Sequence, residues 1–460
     1  MATSNQGSSL TRRGMSVVLA ATVFAAASGY VVMLLAGRQL GAAGYADFTV
    51  YWALFFTFVG ITNGLMQEST RAVSSESRET DFEYVGSTDG PVTGGPAAGK
   101  PATAIPGTEP ERPTAAGPET RPAVVAACVG LLMAVLIVVT SPLWASRVLP
   151  DHEVLGVAVL AVSVWTVAVQ STMWGLAAGR GRWALYACGM AADAALRLVI
   201  AIVAVTQGYG IVAFVFATVA GAVSWMLLTA TSSGRTTLGK RVHVPVRSFL
   251  RGSAHAMTAA AATSVLIVGF PVLLAGTDSS DLGAEAGSLL FAVTITRAPL
   301  LVPLTSFQSA IIVYFVERRR TILRALALPV AGVMLVGVIG AGLAAWIGPP
   351  LIRLVGEGFD MNGGALAALT VGSATTAALM LTGCATLAAE RHRAYAAGWW
   401  VATGLAVVML AMPMGLTERA VTALVVGPLA GVVVHVWAAL SAARRPPVRA
   451  SDYVAGTVGR

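Results

Sequence analysis

Unbroken apolar runs of about twenty residues recur along the whole chain, and that spacing decides most of what it can fold into. A helix rises about 1.5 Å per residue, so about twenty mainly apolar residues cross the hydrocarbon core of a bilayer. Twelve such runs occur, at roughly 15–36, 48–66, 123–145, 154–178, 183–206, 209–230, 254–276, 286–316, 325–346, 362–389, 394–415 and 420–442. They are continuous rather than alternating, which excludes a membrane β-barrel. A soluble globule is excluded by composition, with 56% hydrophobic and only 11% charged residues, too little charge to cover a water-facing surface. The expectation is an all-α integral membrane protein of twelve transmembrane helices.

Orientation follows from the basic residues, which collect in cytoplasmic loops. Of the 30 Lys and Arg, only Arg38, Arg147, Arg353 and Arg419 fall outside when the N-terminus is placed inside, and Arg197 and Arg297 fall within spans. Both termini are therefore expected in the cytoplasm. The net charge of +8 is a topology signal rather than a nucleic-acid footprint, and "ERRR" (Glu317–Arg320) reads as a stop signal facing anionic lipid heads. Arg12 and Arg13 precede an apolar run long enough to remain as the first span instead of being cleaved as a signal. Cys128, Cys188 and Cys384 each lie in a predicted span with no metal-binding spacing and read as small core residues. No cofactor or metal is expected.

The chain repeats itself. "GLAAGRGRWALYA" (Gly175–Ala187) is echoed by "TLAAERHRAYAA" (Thr386–Ala397), "LLAG" (Leu34–Gly37) by Leu273–Gly276, and "LGAA" (Leu40–Ala43) by "LGAE" (Leu282–Glu285). Leu40 and Leu282 are 242 positions apart, whereas Leu176 and Leu387 of the "LAA" pair are 211 apart. The first half must therefore hold extra residues, and Gly86–Pro122 supplies them. That stretch is rich in Pro, Gly, Thr and Ala, which cannot bury enough surface to offset ordering, so it is expected to be disordered. The implied plan is an N-terminal tail (1–14), a six-helix bundle (15–230) carrying the insertion 86–122, a basic cytoplasmic linker (231–253), a second six-helix bundle (254–442) and a tail (443–460). Six is even, so the repeats run parallel. Each "LAA…R…Y" stretch becomes the cytoplasmic turn between the fourth and fifth helices of its bundle, and the seam between bundles is where a transporter would open.

Several stretches resemble one family. "LLAGRQLGAAGYADFTVYWAL" (Leu34–Leu54) and "NGLMQESTR" (Asn63–Arg71) resemble the first hairpin and the second-helix end of polysaccharide flippases. "GLAAGRGRWALYACGMAADAALRLVIAI" (Gly175–Ile202) is similar to their fourth-to-fifth helix passage, and "TRAPLLVPLTSFQSAIIVYF" (Thr296–Phe315) to the eighth helix of actinobacterial members. The family is the polysaccharide-transport branch of the multidrug/oligosaccharidyl-lipid/polysaccharide exporter superfamily. The resemblance covers nearly all of the chain except 86–122 and the tails. It implies a V-shaped pair of bundles and movement of lipid-linked glycans from the inner to the outer leaflet; the long insertion departs from the family's short loop.

Charges in the spans carry the chemistry, because each costs about 2.5–3.5 kcal/mol at the bilayer centre on insertion scales. Asp193 and Arg197 are four apart on one face of the fifth helix and can pair. They form either a self-neutralising pair or, continuing through Tyr186 and Met190, a stripe facing the seam. Arg297 has no local partner. Thr294, Thr305 and Gln308 lie near its face, and Pro299 and Pro303 bend its helix. It serves either to bond carbonyls freed by those prolines or to contact an anion, its fork matching phosphate oxygens. Shifting Arg297 by 242 gives Phe55 and shifting Arg197 by 211 gives Val408, so the repeat itself does not require charge there. One buried acid against two arginines makes the seam net positive.

That sign favours a pyrophosphate-linked glycan over the cationic substrate of a cation-coupled multidrug antiporter, which would want unpaired carboxylates. The expected substrate contacts are Arg297, Arg197, Asp193, Gln308, Thr294 and Gln170. Glu68 and Arg71 are expected to clamp the cytoplasmic end of the second helix, Asn63 to line the seam or bond between helices, and His255 and His435 to be interfacial. Glycines around the hairpins (Gly37, Gly41, Gly276, Gly283) permit close approach or simply turn. Asp278, Asp281 and Glu285 lie near an outer turn without an accompanying His or Lys, and no nucleophile–base set or nucleotide loop marks an enzyme. A non-transporting scaffold is the remaining reading. The expected partners are the lipid-linked glycan and the bilayer, with polysaccharide assembly proteins as further candidates.

Overall fold

The structure, a computed structural model, describes residues 5–86, 119–278 and 282–443. Most of the expected insertion and of the C-terminal tail, the first residues of the N-terminal tail, and Asp281 lie outside the described residues. In chain order the helices are α1 (Asn5–Gly86), α2 (Pro122–Thr140), α3 (Ala145–Val148), α4 (Glu153–Gly179), α5 (Trp183–Thr206), α6 (Ile211–Ala220), α7 (Ser224–Thr229) and α8 (Ser232–Leu238). They continue with α9 (Val246–Ile267), α10 (Phe270–Thr277), α11 (Ala284–Ser306), α12 (Gln308–Glu317), α13 (Ile322–Arg353), α14 (Gly363–Ala388), α15 (His392–Leu410) and α16 (Leu416–Ala443).

Ten helices among the described residues are long and apolar enough to cross a membrane, or eleven if α9 and α10, bent by 67° to one another, form one span. α1 is counted there as one, but Gly41 interrupts it at φ 65°, ψ 178°, a conformation open to glycine and almost nothing else. The chain turns back at this point. The Tyr45 hydroxyl lies 3.6 Å from the Met33 sulfur across twelve positions of sequence, where a straight helix would hold them about 18 Å apart. The second arm then continues to Gly86, well past the expected end near 66.

Other boundaries moved for identifiable reasons. The eighth run splits into α11 and α12 at Phe307, because Pro299 and Pro303 remove ladder hydrogen bonds from the end of α11. The sixth tightens into a 3₁₀ turn at Gly221–Val223, where a Cβ on Gly221 would lie 2.1 Å from the Asp193 carboxylate. The end of the expected disordered insertion is ordered. Thr120 pairs with Val242 in an isolated antiparallel bridge, and Glu119 accepts from Arg241 at 2.9 Å. That guanidinium holds the Glu119 carboxyl below the usual carboxylate range.

The two echoing turns have the same backbone. In the first, Arg182 N–H donates to the Ala177 carbonyl and Tyr186 N–H to that of Arg182; in the second, Arg391 donates to Thr386 and Tyr395 to Arg391. Gly181 (φ 66°) and Glu390 (φ 58°) occupy the same left-handed position. Arg182 and Arg391 are 209 positions apart, so the alignment on "LAA" was two residues out of register, and Arg197 corresponds to Ala406 instead of Val408. The arginines also act alike: Arg182 donates to Ser233 and Thr237 at the start and end of α8, and Arg391 to the Ala438 carbonyl near the end of α16.

The largest core joins both halves. Tyr45 packs edge-on against Phe291 and Phe359, with ring centroids 5.7 and 5.5 Å away. At the other end of the seam the second arm of α1 meets α9 closely, backbone to backbone at Gly64. A Cβ on Gly64 would lie 2.3 Å from the Met257 nitrogen, and one on Gly60 2.1 Å from the Ser264 hydroxyl. Gly37 packs on Val355, whereas Gly276, inside α10, and Gly283, just before α11, have nothing near.

Candidate functional site

Two cavities of about 290 and 280 Å³ lie side by side in the seam and share Tyr30, Met33, Trp52 and Thr294 in their linings. Asp193 and Arg197 line the first and Arg297 the second. The two span arginines therefore belong to one divided cleft, walled by the first arm of α1, its second arm, α5 and α11.

Arg197 is fixed by its neighbours on α5. Its Nε and Nη2 donate to Asp193 Oδ2 and Oδ1 at 3.0 and 2.9 Å, a bidentate pair that the four-residue spacing brings together. Gln170 of α4 donates to the same Oδ1 at 3.1 Å. Arg197 is 6% exposed, and its guanidinium lies over Phe55 and Phe56, 5.2 and 4.9 Å from their centroids. Its Nη1 is buried with no protein partner.

Arg297, 8% exposed, is held by one bond: its Nη1 donates to the Ile267 carbonyl at 2.7 Å. Ile267 ends α9, and the helical partner its carbonyl would have is the N–H of the residue four positions on, which is Pro271 and has none. The arginine thus satisfies a proline-freed carbonyl, though across to another helix rather than through Pro299 or Pro303. Its Nε and Nη2 are buried without partners, and Phe270 lies 5.2 Å from its carbon centre. Buried donors of a charged group almost always have an acceptor, so these two point to a ligand.

The remaining expectations divide. Thr294 lines both cavities, and Gln170 stands behind Asp193 with its own Oε1 unpartnered. Gln308 does not reach the cleft, because α11 ends before it; it faces the Cys384 thiol of α14. Tyr186 and Met190 leave the Asp193 stripe to pack on Trp174 and Thr22. Glu68 and Arg71 form the expected pair, with Glu68 buried against Gly252 of α9. Asn63 is exposed, as is His255. His435 is not interfacial: it is 1% exposed, bonded to Thr382 and to the Tyr395 carbonyl, and stacked on the Tyr395 ring. Cys128 and Cys188 are exposed, against expectation, and Cys384 is buried. Asp278 forms a partly buried ion pair with Arg419 near the outer turn, and Glu285 accepts from Thr417. Sequence reasoning missed Tyr30, Trp52 and Phe56 as lining residues. The signal was the aromatic run "YWALFF" (Tyr51–Phe56), with Trp52 and Phe56 four apart on one helical face.

Comparison with known proteins places the chain. Uncharacterized protein Rv1510 of Mycobacterium tuberculosis (strain H37Rv) is 40% identical over 442 residues, 95% of this chain and 93% of its own length. Uncharacterized protein Rv3630 of the same strain is 38% identical over 432 residues, 93% of this chain and 92% of its own. The chain belongs to the family of these mycobacterial proteins. No protein-family model matches it. Its fold is that of the MOP superfamily of transporters. An inward-facing multidrug resistance MATE family transporter superposes with a TM-score of 0.66 at 14% identity, covering 95% of this chain and 99% of the other. A MOP superfamily transporter from Pyrococcus furiosus gives 0.62 at 12%, covering 95% and 96%. The lipid II flippase MurJ in an inward closed conformation gives 0.62 at 11%, covering 92% and 87%. At such identities the likeness is one of fold, and the fold's neighbours here are transporters and a flippase.

Proposed function

We propose that the protein is a flippase of the cytoplasmic membrane that carries a polyprenyl-pyrophosphate-linked oligosaccharide for cell-surface polysaccharide synthesis. The chain crosses twelve times, α1 contributing two spans divided at Gly41 and α9–α10 one, with both termini in the cytoplasm. The bundles 15–230 and 254–442 rock about their seam to expose the cleft alternately to each leaflet. The polyprenyl tail stays in lipid while the pyrophosphate and sugars pass the cleft.

The observation that carries this reading is Arg297, whose Nε and Nη2 are buried, unpartnered and part of the cleft wall. A fork with two free donors suits the oxygens of a phosphate or pyrophosphate and repels a cation. Trp52 and Tyr30 beside it offer aromatic faces to a sugar. The cation-coupled antiporter is disfavoured by Asp193, the one acid of the cleft lining, which already accepts from Arg197 twice and from Gln170 once. Two neighbours of the fold fit the reading: MurJ is a lipid II flippase, and reverse polarity of the binding pocket is described for the Pyrococcus furiosus transporter.

Deletion of the protein should make a polyprenyl-pyrophosphate glycan accumulate on the inner leaflet. Arg297→Ala, inserted normally, should fail to clear it. Clearance by Arg297→Ala at the wild-type rate would leave the arginine structural, and drug sensitivity with unchanged lipids would favour the antiporter.

A further inference from the structure

Resting on that reading, the geometry around Asp193 points to a proton site. We infer that Asp193 is a displaceable counter-ion: the anionic headgroup takes over the Arg197 guanidinium, and the released carboxylate binds one proton, so anion and proton load together.

Charge around the cleft motivates this. With Asp193 ionised and paired, Arg297 and Arg197 leave the divided cleft one net positive charge, whereas a pyrophosphate diester linking lipid to sugar brings two negative ones. Protonating Asp193 restores the match. Asp193 can be reached, since it lines the 290 Å³ cavity together with Arg197 and its side chain is 17% exposed against 7% for the arginine. Asp193 holds the Nε–Nη2 edge of Arg197 while Nη1 has no protein partner, so an anion can first engage Nη1 and displaces the carboxylate when it takes the Nε–Nη2 edge.

Once displaced, the carboxylate has little else to hold its charge. From α4 it meets Gln170, an uncharged amide, and from the 3₁₀ turn after α6 only Gly221. α1 gives the cavity Tyr30, α11 gives it Thr294, and the remaining cation, Arg297, faces the adjoining cavity. A carboxylate left in an apolar cleft without its counter-ion, and with an anion beside it, is met by a proton. The proton comes from water, no bond of the substrate is broken, and the loaded site carries one negative charge less than the anion alone would impose.

The test uses the purified full-length protein and 1,2-ethanedisulfonate, a dianion whose own charge does not change over the pH range used. Calorimetric titration in buffers of different ionisation enthalpy should show about one proton taken up per dianion bound, and affinity should fall up to tenfold for each unit of rising pH. Asp193→Asn should bind with an affinity independent of pH and without proton uptake. Dianion binding by the wild type with no proton uptake overturns the counter-ion and leaves the anion cleft standing, as does a wild-type pH slope in Asp193→Asn. No dianion binding by the wild type at any pH overturns both. The proton count in the wild type needs no variant, so a poorly folded Asp193→Asn does not block the test.

Discussion

Arg197 and Arg297 line the two compartments of one cleft, are similarly buried and each lie by a phenylalanine ring, yet they are held in opposite ways. Arg197 bonds a carboxylate from its own helix through Nε and Nη2, backed by Gln170, and leaves Nη1 unbonded. Arg297 bonds a carbonyl of another helix through Nη1 and leaves Nε and Nη2 unbonded. The first is a neutral unit that the fold can bury at modest cost, and the second an uncompensated charge tolerated beside a cavity. What separates structure from function here is the partner, because burial and residue type are alike.

The sharpest way to break the comparison is to truncate both. Arg297→Ala should weaken binding of an anionic lipid headgroup by about a hundredfold, the value of two charge-assisted bonds worth about 1.5 kcal/mol each, as read by titration. Arg297→Lys, a point charge without the fork, should fall between. If Arg197→Ala proves the more damaging to binding, the roles are reversed. For stability the order should invert: Arg197→Ala strands Asp193 and should cost about 3 kcal/mol, seen as a drop in thermal midpoint in detergent larger than that of Arg297→Ala. Gly221→Ala presses on the Asp193–Arg197 pair and should cost about 1–3 kcal/mol by the same assay, with little loss at Arg297. The smallest effect belongs to Pro271→Ala. It supplies an N–H at position 271 that competes with Arg297 Nη1 for the Ile267 carbonyl, and should change stability by less than about 1 kcal/mol while tightening anion binding a few-fold.

The contrast also shows how much the chain disclosed in advance. The apolar spans and the three charges of the cleft were legible, because lipid penalises charge and each ionisable residue in an apolar run stands out. The 242-residue offset sets Gly41 opposite Gly283, yet their backbones differ, with φ 65° at Gly41 and φ −86° at Gly283. What stayed hidden was whatever depends on a second element. Gln170 gives no sign that it faces Asp193. The freed carbonyl that Arg297 satisfies sits thirty positions away, and the sequence drew attention to the nearer prolines instead. Gln308 shares a helical face with Arg297 only if the helix continues, and it breaks at Phe307. His435 reads as interfacial by position, but three helices meet around it. The two-residue error in the "LAA" register arose because matching letters were aligned, whereas the fold aligns the left-handed residue, glycine in one copy and glutamate in the other.

The contact of the second arm of α1 with α9 has a mechanical consequence. At Gly64 the two helices meet backbone to backbone, a Cβ there lying 2.3 Å from the Met257 nitrogen, so at that point no side chain is present whose rotation would part them by degrees. Such a latch has a shut position and an open one and little between, so any motion that passes through it must be a wholesale step of one half against the other.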